Sequence, residues 1–298
     1  MPDLPKSAAK WIAVEFETGA QNEDLASWLI VQCGATGCEV TPSENAAKVK
    51  ISASFDKTEF SKDELVKLRG AFEEYGLGEC LHSLRIQARD TEDWLSKWKE
   101  GFEPSDVSDR ITICPSWWKQ REHELPAGRM LLFIEPGMAF GTGLHATTQY
   151  CLSCIEKFPI GPDVLDVGTG SGILAIAACL FNPSASITAI DIDPASIENA
   201  QLNFELNGVA NRVHLLLGEI DKVRHKQFDT IFSNMTCEDI IALLPDYVQM
   251  IKSGGRIVCA GILSEKLEML LSAVAPTRLT VADQALTDMW AGITLGAP

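Results

Sequence analysis

The sequence contains no apolar run long enough to cross a membrane. Its longest, Ile173 to Phe181, falls far short of the ~20 residues that a spanning helix needs. The opening residues MPDLPKSAAK lack the apolar core of a signal peptide. No low-complexity tract marks a disordered segment, and a hydrophobic content of 46% supports a substantial core. These absences lead us to expect a cytoplasmic protein with no membrane partner. Basic residues are also scarce, with 25 Lys and Arg against 41 Asp and Glu and a net charge of −16. Residues 1–90 carry 10 basic and 15 acidic side chains, and the remainder carries 15 and 26. Neither part has the clustered Lys and Arg that phosphate neutralisation requires, so direct nucleic-acid binding is not expected. An acidic surface suits a basic partner instead.

A disulfide framework is equally absent. The nine cysteines are an odd count, scattered through apolar segments such as those around Cys179 and Cys259, which fits reduced, buried thiols. Cys151 and Cys154 form a C-x-x-C with no second pair. We read them as packing of a helix face and expect no metal.

At 298 residues the chain can hold two domains. In residues 1–90, WIAVEFET alternates like a strand and NEDLASWLIVQCG has helical spacing with a Gly stop. GCEVT and AAKVKISASF are strand-like, SKDELVKLRGAFEEYG is an amphipathic helix, and HSLRIQARD is a last strand. The order β-α-β-β-α-β is the ferredoxin-like pattern, an α+β unit without chemistry of its own. A connector over 91–125 follows, in which Trp94, Trp98 and Phe102 recur every fourth residue on one helix face. From about residue 126 to 298, strands alternate with helices, which implies an α/β domain with a doubly wound parallel sheet.

Two glycine-rich segments lie close together, EPGMAFGTGLHATTQYCL from Glu135 to Leu152 and VLDVGTGSGILAIAA from Val164. In the second, Gly168, Gly170 and Gly172 follow a buried strand and open a helix, permitting a tight turn and a ligand close to the backbone. The spacing is G-x-G-x-G, whereas a dinucleotide fingerprint needs G-x-G-x-x-G. Asp166 before the turn supplies a counter-charge for an ammonium group, and Asp191 at the end of the next strand can accept from both ribose hydroxyls. These features favour S-adenosylmethionine over NAD. Asn234 ends the strand FDTIFSN without the prolines and aromatic of an N-P-P-[YF] motif. It can accept a hydrogen bond from an amine without adding charge, or serve as a strand-end turn residue.

Taken together, EPGMAFGTGLHATTQYCL, VLDVGTGSGILAIAA, AIDIDPASIENAQLNFELNG and SNM resemble the PrmA family of methyltransferases that modify ribosomal protein L11. The resemblance extends to DWLSKWKEGFEP, ITICPSWW and the opening WIAVEFETGAQNEDLASWLIVQCGA. It implies a class I S-adenosylmethionine-dependent methyltransferase domain over 126–298, with 1–90 as the substrate-recognition domain. By position, Thr148 would contact the cofactor, with Phe140, Thr142 and Thr147 lining the site. Asp166, Gly168, Gly170, Gly172, Asp191 and Ile192 would complete the cofactor site, and Asn234 would stand at the amine–methyl junction. Thr142 and His145 join Asn234 as candidate catalytic residues, His145 with loop-holding as its other role. The sequence departs from the family at Leu144, at Ala146 in place of a proline, and in NMTCED after the strand.

The implied reaction is methyl transfer to lysine ε-amines and the N-terminal α-amine of ribosomal protein L11, by a monomer. Keeping a lysine of pKa ~10.4 neutral at pH 7 costs ~4.6 kcal/mol, whereas an α-amine at ~7.7–8.0 costs only about 1 kcal/mol. A neutral acceptor such as Asn234 avoids raising the amine pKa further. The departures motivate a second reading, a protein lysine methyltransferase of the same fold with another acceptor. A third is a non-catalytic S-adenosylmethionine-binding factor, against which the intact Asp166, Asp191, Asn234 and Thr147–Thr148 pair argue. An NAD dehydrogenase is the remaining alternative, separated by cofactor binding alone.

Overall fold

Ser61 opens a helix by accepting the Glu64 N–H with its hydroxyl at 3.3 Å, the cap that the SKDE stretch announces. Such local signals build the first of two compact units, Met1–Phe102 and Glu103–Pro298. The structure is a computed structural model that describes residues 11–43, 45, 47–57, 60–89, 103–135, 143–287 and 289–298.

The first unit runs β1 (Trp11–Gly19), α1 (Glu23–Gln32), β2 (Gly37–Pro42), β3 (Lys48–Asp56), α2 (Lys62–Glu74) and β4 (Arg85–Arg89). Its antiparallel sheet has the order β2-β3-β1-β4, the arrangement of a split β-α-β pair. Register places Ile12, Val14 and Phe16 opposite Phe55, Ala53 and Ile51, and all six are buried. The Phe16 ring meets Phe72 of α2 edge-on at 5.1 Å, a favoured aromatic geometry. Glu15 points to the other face of the pleat, 4% exposed, and is matched by Lys50 at 2.8 Å.

The second unit begins with β5 (Ser105–Asp106), β6 (Ile111–Pro115) and β7 (Met130–Ile134), which form a small sheet of their own. The 91–125 stretch expected as a connector therefore divides. Residues 91–102, with Trp94, Trp98 and Phe102, lie outside the described residues, and β6 within 103–125 pairs in parallel with β7. There follow α3 (Ala146–Lys157), β8 (Asp163–Val167), α4 (Ile173–Phe181), β9 (Ser186–Asp191), α5 (Pro194–Leu206), β10 (Val213–Leu217), β11 (Phe228–Asn234) and α6 (Cys237–Met250). The chain ends with β12 (Ile251–Leu263), α7 (Leu267–Val274), β13 (Thr280–Leu286) and β14 (Trp290–Gly296).

The large sheet has the order β10-β9-β8-β11-β12-β14-β13. The first five strands are parallel, and β14 enters antiparallel between β12 and β13. Helices α3, α4 and α5 pack on one face with Val164, Ile187, Ala189 and Phe232. Helices α6 and α7 cover the other face with Leu165, Ile190, Ile231 and Ile257. Burial on both faces explains why the inner strands read as almost continuous apolar runs. Strand order reverses between β8 and β11, and a crevice opens beyond the carboxyl ends of the strands at such a reversal.

Candidate active site

The turn after β8 depends on three left-handed residues, Gly168, Gly170 and Gly172, with φ of 66°, 54° and 79°. The Gly168 and Thr169 N–H groups donate to the Ile190 carbonyl at 2.9 and 3.1 Å, hooking the turn onto β9. At Gly172 a Cβ would come within 2.5 Å of the Phe204 ring and 3.3 Å of Ala200 Cβ. Close packing of the α4 start on α5 thus requires glycine here, besides the sign of φ.

Asp166 stands one residue before the strand end and is 1% exposed. Its carboxylate accepts the Thr169 hydroxyl at 2.7 Å. Burial pushes this carboxyl up to about 6, the Asp191 charge adds to the rise, and the hydrogen bonds from Thr169 and the Ala175 N–H oppose it. A buried carboxylate poised near neutrality gains most from a cationic ligand.

Asp191 closes β9 with both oxygens engaged by backbone. Oδ2 accepts the Gly170 N–H at 2.9 Å and Oδ1 the Asp193 N–H at 3.0 Å. Each oxygen keeps a second lone pair for a hydroxyl. Next to it, Ile192 is 72% exposed, an apolar side chain beside a polar anchor. Asp193 then caps α5 by accepting from the Ala195 and Ser196 N–H groups at 3.0 and 3.2 Å, with Pro194 at the first helical position.

The end of β11 lies on the α3 face of the sheet. Asn234 Nδ2 donates to Thr148 Oγ1 at 3.3 Å. Its Oδ1 is buried and has no hydrogen-bond partner among the described residues, an acceptor whose burial is costly until something donates to it. Met235 follows and covers the glycine turn, since a Cβ on Gly168 would lie 3.2 Å from Met235 Cγ and Sδ.

Thr147 and Thr148 occupy the first turn of α3, 2% and 1% exposed. His145 is the N-cap residue of this helix: Nδ1 lies 2.8 Å from Thr147 Oγ1 and accepts the Thr147 N–H at 3.4 Å. An accepting Nδ1 in a neutral imidazole leaves the proton on Nε2. The ring meets Trp290 of β14 edge-on at 4.9 Å. His145 thus ties the start of α3 to β14, the last strand in chain order.

The structure therefore brings Asp166, Gly168, Gly170, Gly172, Asp191 and Ile192 to one end of the sheet, with Asn234 joined to Thr148 there. Phe140 and Thr142 lie outside the described residues. Cys151 and Cys154 are buried in α3, where desolvation pushes both thiols up. Among the described residues, no group of His, Cys, Asp and Glu has the makings of a metal site. Sequence reasoning missed Trp290 as the partner of His145 and the three asparagines of the α5 face. For the asparagines the signal was available: positions 199, 203 and 207 are spaced by one helical turn.

A nucleoside with a cationic tail fits these residues. The three glycines open the backbone, Asp191 offers lone pairs to a ribose, Ile192 offers an apolar surface to a base, and Asp166 offers a buried negative charge.

Comparison with known proteins gives concordant findings. The family profile described as "Ribosomal protein L11 methyltransferase (PrmA)" matches residues 10–297. A ribosomal protein L11 methyltransferase of Streptococcus mutans is 32% identical over 89% of both chains. One from Symbiobacterium thermophilum is 36% identical over 75% of this chain and 71% of its own. Among solved structures, a ribosomal protein L11 methylase from Lactobacillus delbrueckii subsp. bulgaricus superposes with a TM-score of 0.59 at 29% identity. It covers 65% of this chain and 98% of its own.

Proposed function

The chain belongs to the PrmA family of S-adenosylmethionine-dependent methyltransferases, and from that premise we propose that it methylates lysine ε-amines and the N-terminal α-amine of ribosomal protein L11. The observation that carries this reading is the buried Oδ1 of Asn234 at the end of β11, which has no hydrogen-bond partner among the described residues. It is a neutral acceptor on the same face of the sheet as the cofactor carboxylate Asp166.

When bound, S-adenosylmethionine supplies a methyl group on a cationic sulfonium, open to in-line displacement by a neutral amine. Asp166 neutralises the positive tail of the cofactor, Asp191 takes its ribose hydroxyls, and Ile192 covers its base. Thr148 accepts from Asn234 Nδ2 and so fixes the amide, leaving Oδ1 to receive an N–H of the incoming amine. A carboxylate in that place would hold the amine protonated, whereas an amide oxygen orients it without that penalty. Alignment rather than a protein nucleophile then supplies the rate.

The net charge of −16 matches a basic ribosomal protein, and residues 1–90 are the unit to which we assign its recognition. The same reading has the enzyme act in the cytoplasm as a monomer, on free protein rather than on nucleic acid. A time course with S-adenosylmethionine and ribosomal protein L11, read by peptide mass, tests it. We expect methyl gains on amines, with the α-amine modified at least as early as the lysines because less free energy is needed to deprotonate it. Lysine methylation complete before any α-amine product would contradict that order. No gain at all, with cofactor binding intact, would overturn the acceptor.

A further inference from the structure

The two glycine-rich segments are joined through one side chain. Asn199, Asn203 and Asn207 stand on one face of α5 and at its C-terminal end, four residues apart. Asn203 is fully buried. Its Oδ1 accepts the Glu135 N–H at 2.7 Å, at the entrance to the first segment. Its Nδ2 donates to the Ser171 carbonyl at 2.9 Å, inside the second, and to Asn199 Oδ1 at 3.2 Å. Asn199 Nδ2 in turn donates to the Glu135 carbonyl at 3.3 Å. Asn207 takes both the N–H and the carbonyl of Phe133, in β7, at 2.9 and 2.6 Å, and its Nδ2 also donates to the Asn203 carbonyl at 2.8 Å.

An amide offers two donors and one acceptor oxygen, and Asn203 uses all three groups. An aspartate keeps the acceptor but loses both donors. It also turns a buried negative charge toward the Ser171 carbonyl and Asn199 Oδ1, a costly arrangement. Hydroxyl side chains are too short to span three partners. The chemistry thus specifies asparagine at a position remote from Asp166, Asp191 and Asn234 in the sequence.

We infer that Asn203 is a positioning residue whose amide sets the spacing between Glu135 and the Gly168–Gly172 turn, and through it the alignment of the amine with the cofactor. The inference rests on the methyltransferase reading. A misplacement of about 1 Å remote from the reacting atoms costs roughly 10²-fold in rate, so Asn203 acts on the rate at saturation more than on cofactor affinity. Asn207 reaches β7 and the Asn203 carbonyl but makes no contact with Ser171, and it serves as the stability control.

The test compares wild type, Asn203→Asp and Asn207→Asp in single-turnover methylation of ribosomal protein L11, cofactor calorimetry and hydrogen–deuterium exchange. Asn203→Asp is expected to lower the saturated rate by roughly 10²-fold while the cofactor Kd moves much less. Its exchange should rise together around Glu135 and around Ser171. Asn207→Asp should raise exchange in β7 without the rise around Ser171 and keep its rate near wild type. A rate loss in Asn203→Asp no greater than its loss of cofactor affinity, or an equal rate loss in Asn207→Asp, overturns the inference. So does exchange that rises at only one of the two segments. If Asn203→Asp does not fold, Asn203→Ser removes the bridge without adding charge and is judged by the same readouts. Failure of wild type to methylate the protein counts against the functional reading instead, and paired exchange then decides the role of Asn203 by itself.

Discussion

Asp166 makes the ligand-free protein less stable as pH rises, and its replacement exposes how much. Its carboxyl is raised from 3.8 to about 6, so the folded state holds a proton that the unfolded chain has already released. Below about pH 4 both states are protonated and the group costs nothing. Between pH 4 and 6 the unfolded state gains by ionising, and above pH 6 the penalty levels off. A gap of about two units corresponds to about 3 kcal/mol at 1.36 kcal/mol per unit. Urea unfolding of ligand-free wild type and Asp166→Asn from pH 4 to 7.5 measures it. The variant should gain about 3 kcal/mol on wild type across that window. A constant offset from exchanging an oxygen for an amide nitrogen cancels in the difference. Cofactor binding runs the other way, because a cation favours the ionised form. Affinity for S-adenosylmethionine should fall about tenfold per pH unit below pH 6 in wild type, and Asp166→Asn should be weak and lack this dependence. A stability difference that is flat in pH would refute the buried-carboxylate argument.

Other substitutions separate cofactor geometry from amine geometry. Gly172→Ala places a methyl group 2.5 Å from the buried Phe204 ring at a φ of 79°. It should cost on the order of 2–4 kcal/mol by thermal melting, with cofactor affinity falling alongside. An unchanged melting temperature would mean that α4 and α5 are not so closely packed. Thr148→Val removes the oxygen that fixes the Asn234 amide while keeping its volume. The rate at saturation should fall roughly tenfold, in line with about 1–3 kcal/mol for an unsatisfied buried amide. A rate unchanged from wild type would show that Asn234 needs no such support.

Much of the site was legible because it is built from short-range signals. Strand, glycine turn and helix follow one another around Gly168, and Asp191 and Asn234 were picked out by the rule that ligands bind at the carboxyl ends of parallel strands. The first unit was legible for the same reason, since each of its six elements has its own periodicity and stop. Parts assembled from distant pieces were not. The contact of His145 with Trp290 joins residues on α3 and β14, and nothing local marks either as a partner of the other. Strand β13 is an exposed edge, so TVADQAL carries no apolar alternation to betray it. Strand β6 lay hidden in a supposed connector because its partner β7 begins fifteen residues later. The asparagine face of α5 was visible as a period of four, yet the sequence does not say which backbone groups it meets.

We propose that the Asn234 amide oxygen orients an amine of ribosomal protein L11 for methyl transfer. It is tested most directly by intact-mass measurement of that protein after reaction with wild type and with Asn234→Ala, at saturating S-adenosylmethionine. Wild type should give stepwise methyl gains, and the variant a rate reduced by roughly 10²-fold. Wild type that binds the cofactor and leaves the protein unmodified would contradict it, as would a variant that methylates at the wild-type rate.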